Sequence, residues 1–214
     1  ARRPMKSVSV CSTSRRRRSG LGSQAIEAPC TSLGRFDGRG DSCLSIFAEV
    51  YATGALVFPS RARVLEIGCA EADWVKPMLA ERSDLQITGI DWRECERSCE
   101  VIRGDVLTHD FPPRSFDVAV GISSIEHIGL GHYNCDPLDM DGDRHCMERV
   151  ARWLKPGGWA YADVPYGPAY RVEGTSHRVY DDAALRERLV APGLRLERRW
   201  FSDEDGTTLW DAPQ

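Results

Sequence analysis

No apolar run in these 214 residues approaches the length of a membrane span, and the N-terminal segment lacks the apolar stretch that a secretory signal needs. Neither a membrane-spanning nor a secreted protein is expected. Although there are eight cysteines, no CxxC pair with zinc-site spacing occurs: Cys95 and Cys99 sit four apart, and Cys135 and Cys146 flank a His-containing stretch. No metal site is expected, and a chain of this size needs no disulfides for stability, so the cysteines read as reduced thiols in a cytoplasmic protein. No internal repeat is visible, which argues against a solenoid or propeller.

Acidic residues are missing from the first twenty positions, where Arg2, Arg3, Lys6 and Arg15 to Arg18 place seven positive charges. With a net charge of -4, the remainder carries about -11. Ser and Arg dominate this arm and aromatics are absent from it, so residues 1–33 are expected to be disordered ahead of one domain at 34–214. A solvated leader, a nucleic-acid tether and a transit peptide are its alternative readings.

Beyond the arm and a Gly-rich loop, strands alternate with helices. Leu44, Phe47, Ala48 and Tyr51 have the i, i+3, i+4, i+7 spacing of an amphipathic helix. Strands are expected at 63–67, 85–90, 101–103, 116–122, 159–164 and 194–201, with a return near 207–210. Helices are expected at 72–82, around Met147, Val150, Ala151 and Leu154, and at 182–190 with Asp181 as cap. This alternation implies an α/β fold: a doubly wound, mostly parallel seven-stranded sheet with helices on both faces and its last strand antiparallel. Ligands of such sheets bind beyond the carboxyl ends of the strands, here the loops after Ile67, Ile90, Arg103 and Ile122.

From Gly68 to Asp73 there is one glycine only, so the dinucleotide fingerprint G-x-G-x-x-G is not met and a pyrophosphate-binding Rossmann domain is disfavoured. A nicotinamide-dependent oxidoreductase is accordingly the weaker enzyme reading. Small residues at alternate positions, Gly68, Ala70 and Ala72, still let backbone approach a ligand where strand turns into helix.

Glu66-x-Gly68-x-Ala70-x-Ala72 resembles the first motif of class I S-adenosylmethionine-dependent methyltransferases, with alanine at the second and third glycine positions. Such a loop either uses ordinary dihedrals or binds its ligand more weakly. Asp91 matches the family's acid that accepts both ribose hydroxyls, and Gly104-Asp105-Val106 resembles the segment that meets the adenine. Phe116 to Val120 resembles the fourth strand, and Leu154 to Gly158 the helix end before the fifth.

The resemblance implies a Rossmann-like fold and S-adenosylmethionine as cofactor. Glu66 and the loop of Gly68, Cys69 and Ala70 would hold its methionine end, Asp91 the ribose, and Gly104, Asp105 and Val106 the adenine, with Ser123 beside them; Trp92, next after Asp91, would cover the adenine or the ribose. The implied reaction is methyl transfer to an oxygen or nitrogen of an acceptor. A narrower resemblance runs from Ser123 to Gly131, through Asp136 to Asp143, to His177-Arg178-Val179-Tyr180. It is similar to a little-characterised bacterial methyltransferase-like group associated with surface-glycan genes, which points to a small-molecule, sugar or glycan acceptor.

His127 and Glu126 are the candidate catalytic residues, because they follow the fourth strand's carboxyl end and a neutral imidazole can take a proton. They are not read as a dyad, since helix neighbours do not share a face. The Asp136–Asp143 cluster fails the EF-hand spacing and reads as loop and cap residues. A fold-sharing binding protein, with the basic arm on nucleic acid, remains the non-enzymatic alternative.

Overall fold

The computed structural model describes residues 6–14, 47–48, 50–70, 73–132, 138–202 and 209–211. The Gly-rich loop, Leu44, Ala72, Cys135, Asp136, Thr207 and the rest of the basic arm lie outside them. In chain order the strands are β1 (Lys6–Ser14), β2 (Arg63–Ile67), β3 (Gln86–Asp91), β4 (Glu100–Arg103), β5 (Phe116–Gly121), β6 (Leu154–Tyr166), β7 (Arg171–Glu173), β8 (His177–Val179), β9 (Leu194–Ser202) and β10 (Leu209–Asp211). Residues 47–48 and 50–52 are helical, within the amphipathic helix expected around Phe47 and Tyr51, and the helices described over their whole length are α1 (Val75–Glu81), α2 (Gly142–Trp153) and the short α3 (Asp182–Ala184), which runs into a π turn at Leu185–Leu189.

Eight of these strands form one sheet in the order β10-β9-β1-β6-β5-β2-β3-β4. Every pairing in it is parallel except that of β10 on β9. The mostly parallel sheet with an antiparallel last strand is therefore present, but with eight strands rather than the expected seven.

The additional strand is β1, which corrects the expectation of a disordered arm for residues 6–14. It lies between β6 and β9, pairing with both in parallel. A central strand satisfies its backbone donors and acceptors on two sides, and Val10 is fully buried. Composition alone missed this because Ser is a poor apolar signal while the ladder bonds come from backbone.

Alternation along the strands divides the core between two faces. Leu65, Ala119, Ala160 and Ala162 pack on one side with Met147 and Val150 of α2 and with Leu185 and Leu189. Val64, Val118, Val120 and Tyr161 pack on the other with Phe47, Phe58, Trp74 and Met78. Each large apolar side chain so buried contributes roughly 1.5–3 kcal/mol, which holds helical layers on both faces.

Local chemistry sets the ends. Pro77 stands in the first turn of α1, where its missing N–H costs nothing. Leu154 leaves α2 with extended backbone, and Pro156 favours extension of the residue before it. The strand begins there, earlier than expected, and the Lys155–Gly158 segment becomes an irregularity between Phe116 and Val118 in the β5–β6 register. Asp181 caps α3, accepting from the Ala184 N–H. The β7–β8 hairpin was not anticipated; it forms a separate two-stranded sheet beside the loops after β5.

Candidate functional site

The carboxyl ends of β2, β3, β4 and β5 open onto one cavity, at the edge of the sheet where ligands of parallel α/β sheets bind. Ile67, Gly68, Asp91, Trp92, Arg93, Gly104, Asp105, Val106, Ser123 and His127 are among its lining residues. Of the sequence candidates, Gly68, Asp91, Trp92, Gly104, Asp105, Val106, Ser123 and His127 are thus brought together, while Glu66, Cys69, Ala70 and Glu126 stand behind the wall.

Gly68 fits for two reasons. Its φ is +76°, and a Cβ there would stand 2.4 Å from the Cβ of Ser124. The Ser124 hydroxyl donates to the Ile67 carbonyl at 2.8 Å, so the ends of β2 and β5 are fastened at this point. Ala70 is not in the left-handed region, which resolves the choice posed by its methyl group: the loop uses ordinary dihedrals there. Its N–H donates to Asp91 Oδ2 at 2.9 Å.

Glu66 lies outside the cavity lining, buried beneath the loop after β2. Its side chain is 2% exposed, with Oε2 unpartnered among the described residues. Burial pushes its carboxyl up to about 8, offset in part by the Arg97 guanidinium. Cys69 is likewise fully buried, close against Gly89. Arg97 ties this loop to the segment after β3 by donating from Nε to the Cys69 carbonyl at 2.6 Å.

Asp91, at the end of β3, carries a full set of donors. Its Oδ1 accepts from the Arg93 N–H (2.9 Å) and Nε (3.0 Å), and its Oδ2 from Arg93 Nη2 (3.1 Å) as well as Ala70. Asp105 differs. Oδ1 accepts from the Leu107 N–H at 2.7 Å, but Oδ2 is buried without a hydrogen-bond partner among the described residues. A buried acceptor without a partner is an unmet demand for a donor, and Asp105 belongs to the cavity lining.

Beyond β5 the chain turns through Ser123 at φ 45°, a strained value for a residue other than glycine that costs on the order of 1–3 kcal/mol. Its N–H donates to Asp163 Oδ1 at 2.6 Å and its hydroxyl to Glu126 Oε1 at 3.1 Å. A single 3-10 turn, Ile125–His127, follows. Glu126 is 1% exposed, and burial pushes its carboxyl up to about 7 against the opposing pull of the Ser123 hydroxyl, His177 and Arg178. His127 Nε2 lies 3.6 Å from Glu126 Oε1, so the two converge, contrary to the expectation from helical spacing. The turn is too short, and ends in extended backbone at Ile128, for α-helical geometry to separate them. His127 Nδ1 bonds the Ser176 carbonyl, its ring stacks on His132 at 5.5 Å, and His177 approaches edge-on at 6.2 Å.

Several residues of this region were not legible as such. Fully buried Arg178 on β8 donates to the carbonyls of Glu126 (3.2 Å), Ile128 (2.7 Å), Asp139 (3.3 Å) and Met140 (3.1 Å). Asp143 pairs with Arg178 at 3.4 Å and Arg188 at 2.7 Å, and accepts from the Tyr180 hydroxyl at 2.8 Å. Asp141 pairs with Arg144 and Arg188, and Asp139 with His145. The aspartates therefore fix loop and helix rather than assemble an oxygen cage, and no metal-holding cluster occurs among the described residues. For Asp163 a signal existed: an acid inside an otherwise apolar strand needs a partner.

A family described as Caenorhabditis protein of unknown function, DUF268, matches residues 96–197. No curated protein matches the chain. Among solved structures, it is similar to the 1,6-didemethyltoxoflavin-N1-methyltransferase of Burkholderia thailandensis, with 1,6-didemethyltoxoflavin and S-adenosylhomocysteine bound in that protein. The TM-score is 0.54 and the identity 14%, over 87% of this chain and 91% of that one. It is also similar to the Haloferax volcanii complex of the Trm112 methyltransferase activator with a candidate methyltransferase, at TM-score 0.50 and 16% identity over 72% and 71%. Haemonchus contortus phosphoethanolamine N-methyltransferase 2 is matched over 53% of this chain but 26% of its own length, at TM-score 0.40 and 24% identity. At these identities the likeness is one of fold: the chain has the Rossmann-like α/β architecture found in the first two of these structures.

Proposed function

We propose that the chain binds S-adenosylmethionine in this cavity and transfers its methyl group to an oxygen or nitrogen of a small-molecule acceptor. One observation carries the reading: Asp105, at the position where the family resemblance sets the adenine amine, lines the cavity, and its buried Oδ2 has no hydrogen-bond partner among the described residues. The cofactor, when bound, supplies a methyl group already activated on a sulfonium. The protein's task is then to position and to take up a proton.

Gly68 gives the ligand close access to backbone, Asp105 accepts from the adenine amine, and Asp91 takes the ribose hydroxyls once Arg93 yields to them. His127 would receive the acceptor's proton. A carbonyl only accepts, so the bond to Ser176 assigns the ring proton to Nδ1 and makes Nε2 the basic nitrogen of the ring. A sugar or glycan is the acceptor class we favour, supported by the narrower resemblance at 123–131, 136–143 and 177–180. The methyltransferase unit would comprise residues 34 to 214 together with β1, which lies between β6 and β9 in the same sheet.

A second reading, a binding protein with this fold and no turnover, is favoured by the Arg93 side chain held on Asp91. Thermal unfolding with added ligand tests the main proposal. S-adenosylhomocysteine should raise Tm in proportion to occupancy while a nicotinamide dinucleotide leaves it unchanged. The reverse pattern would establish the oxidoreductase alternative.

A further inference from the structure

Two free thiols meet beside the cavity. Cys69 Sγ, on the loop after β2, lies 3.7 Å from Cys95 Sγ, on the irregular segment between β3 and β4. A disulfide needs about 2.05 Å between sulfurs, so less than 2 Å of movement separates this pair from a bond. Cys69 has no room to move: it is fully buried, and a Cβ on Gly89 would stand 2.7 Å from its sulfur. Cys95 is half-buried on a segment without regular structure from Trp92 to Cys99, so the closing motion belongs to it.

We infer that Cys69 and Cys95 form a reversible disulfide that clips the two loops flanking the cavity. The oxidant is a low-molecular-weight disulfide such as oxidised glutathione. Cys95, the accessible thiol, loses its proton and attacks one sulfur of the oxidant. The oxidant's S–S bond breaks, one thiolate leaves, and a mixed disulfide remains on Cys95. Cys69 then loses its proton and attacks Cys95 Sγ, and the second thiolate leaves. The two protein protons end on the two released thiols, so two protein thiols are oxidised and one small disulfide is reduced. Burial and the neighbouring Glu66 hold the Cys69 thiol well above the ordinary range, which keeps it out of the first step; in the second, its 3.7 Å approach to Cys95 Sγ replaces a bimolecular encounter.

The consequence follows from what the segment carries. Trp92 and Arg93 line the cavity, and Arg97 already anchors the segment to the Cys69 carbonyl. Drawing Cys95 inward holds Arg93 on Asp91, so the oxidised form should bind a ribose-containing ligand more weakly. This last step alone rests on the proposed function.

The test equilibrates the full chain in glutathione buffers of graded ratio, traps free thiols by alkylation and maps linked peptides by mass spectrometry. A Cys69–Cys95 linked peptide, reversed by dithiothreitol, is expected. In C69S, Cys95 should instead stay glutathionylated. Persistent glutathionylation of Cys95 in the native sequence, or its linkage to Cys99, would overturn the proposal. S-adenosylhomocysteine should bind the oxidised protein roughly fivefold or more weakly than the reduced, a difference absent in C95S. Equal affinities would refute the effect on the cavity. No binding to either form would refute the cofactor reading, while the peptide map decides the disulfide.

Discussion

His127 Nε2 and Glu126 Oε1 lie 3.6 Å apart although the residues are sequence neighbours, and the Ser123 hydroxyl reaches the same carboxylate oxygen. With Nδ1 on the Ser176 carbonyl, the ring presents its basic nitrogen to a carboxyl whose own ionisation is displaced to about 7. A proton gained by the ring is therefore stabilised above that pH and less so below it.

This pair gives the first prediction. Once an acceptor is found, H127A should lower turnover roughly 100-fold or more with cofactor affinity intact. E126Q should lower the pKa of the His127 ring, read by NMR titration, because the ionised carboxylate that favours imidazolium is gone. An unmoved ring pKa would separate the two residues, and unchanged turnover in H127A would remove the base.

Arg178 gives a prediction about architecture. It gathers four carbonyls from the 126–128 turn and the 139–140 turn and meets Asp143 in full burial. R178A strands those acceptors, and loss of about 3–5 kcal/mol in urea unfolding is expected. A loss below about 1 kcal/mol would mean that the hairpin does not hold the turn.

Glu66 makes stability depend on pH. Its folded pKa of about 8 exceeds the ordinary 4.5, so the native state binds more protons than the unfolded one between those values, and stability falls as pH rises through them. E66Q has no such proton to lose. The Tm advantage of E66Q over the native sequence should therefore widen from pH 5 to pH 8. A constant difference across that range would show that Glu66 titrates normally.

Legibility in the sequence followed the range of the interactions. β2 and β5 were read within a residue because continuous apolar runs end at Gly68 or near Ser123, and the loops after them had to carry the cavity. The Asp181 cap was local too. What escaped depended on distant partners: the Ser176 carbonyl on His127, Arg178 across 50 residues to Ile128, and Cys95 on Cys69. Arg93 was missed because an arginine two residues after an acid looks like a solvated charge, and only the bend of the chain folds it back onto Asp91.

β1 yields a sharper check on the fold. It is paired on both sides, with β6 and β9, so removing residues 1–14 leaves two inner strand edges open. The truncated chain should lose roughly 5 °C or more in Tm, or fail to fold. A truncated chain as stable as the full one would return this segment to the role of a free arm.

Calorimetric titration of S-adenosylhomocysteine into the chain and into D105A tests the central claim most directly. The native sequence should bind with a micromolar or tighter constant. D105A, which removes the unpartnered Oδ2 together with the Oδ1 acceptor of the Leu107 N–H, should remain folded with a modestly lower Tm and bind roughly ten- to a hundredfold more weakly. Absence of binding at millimolar ligand would contradict the account, and equal affinity in D105A would detach the cavity wall from the adenine.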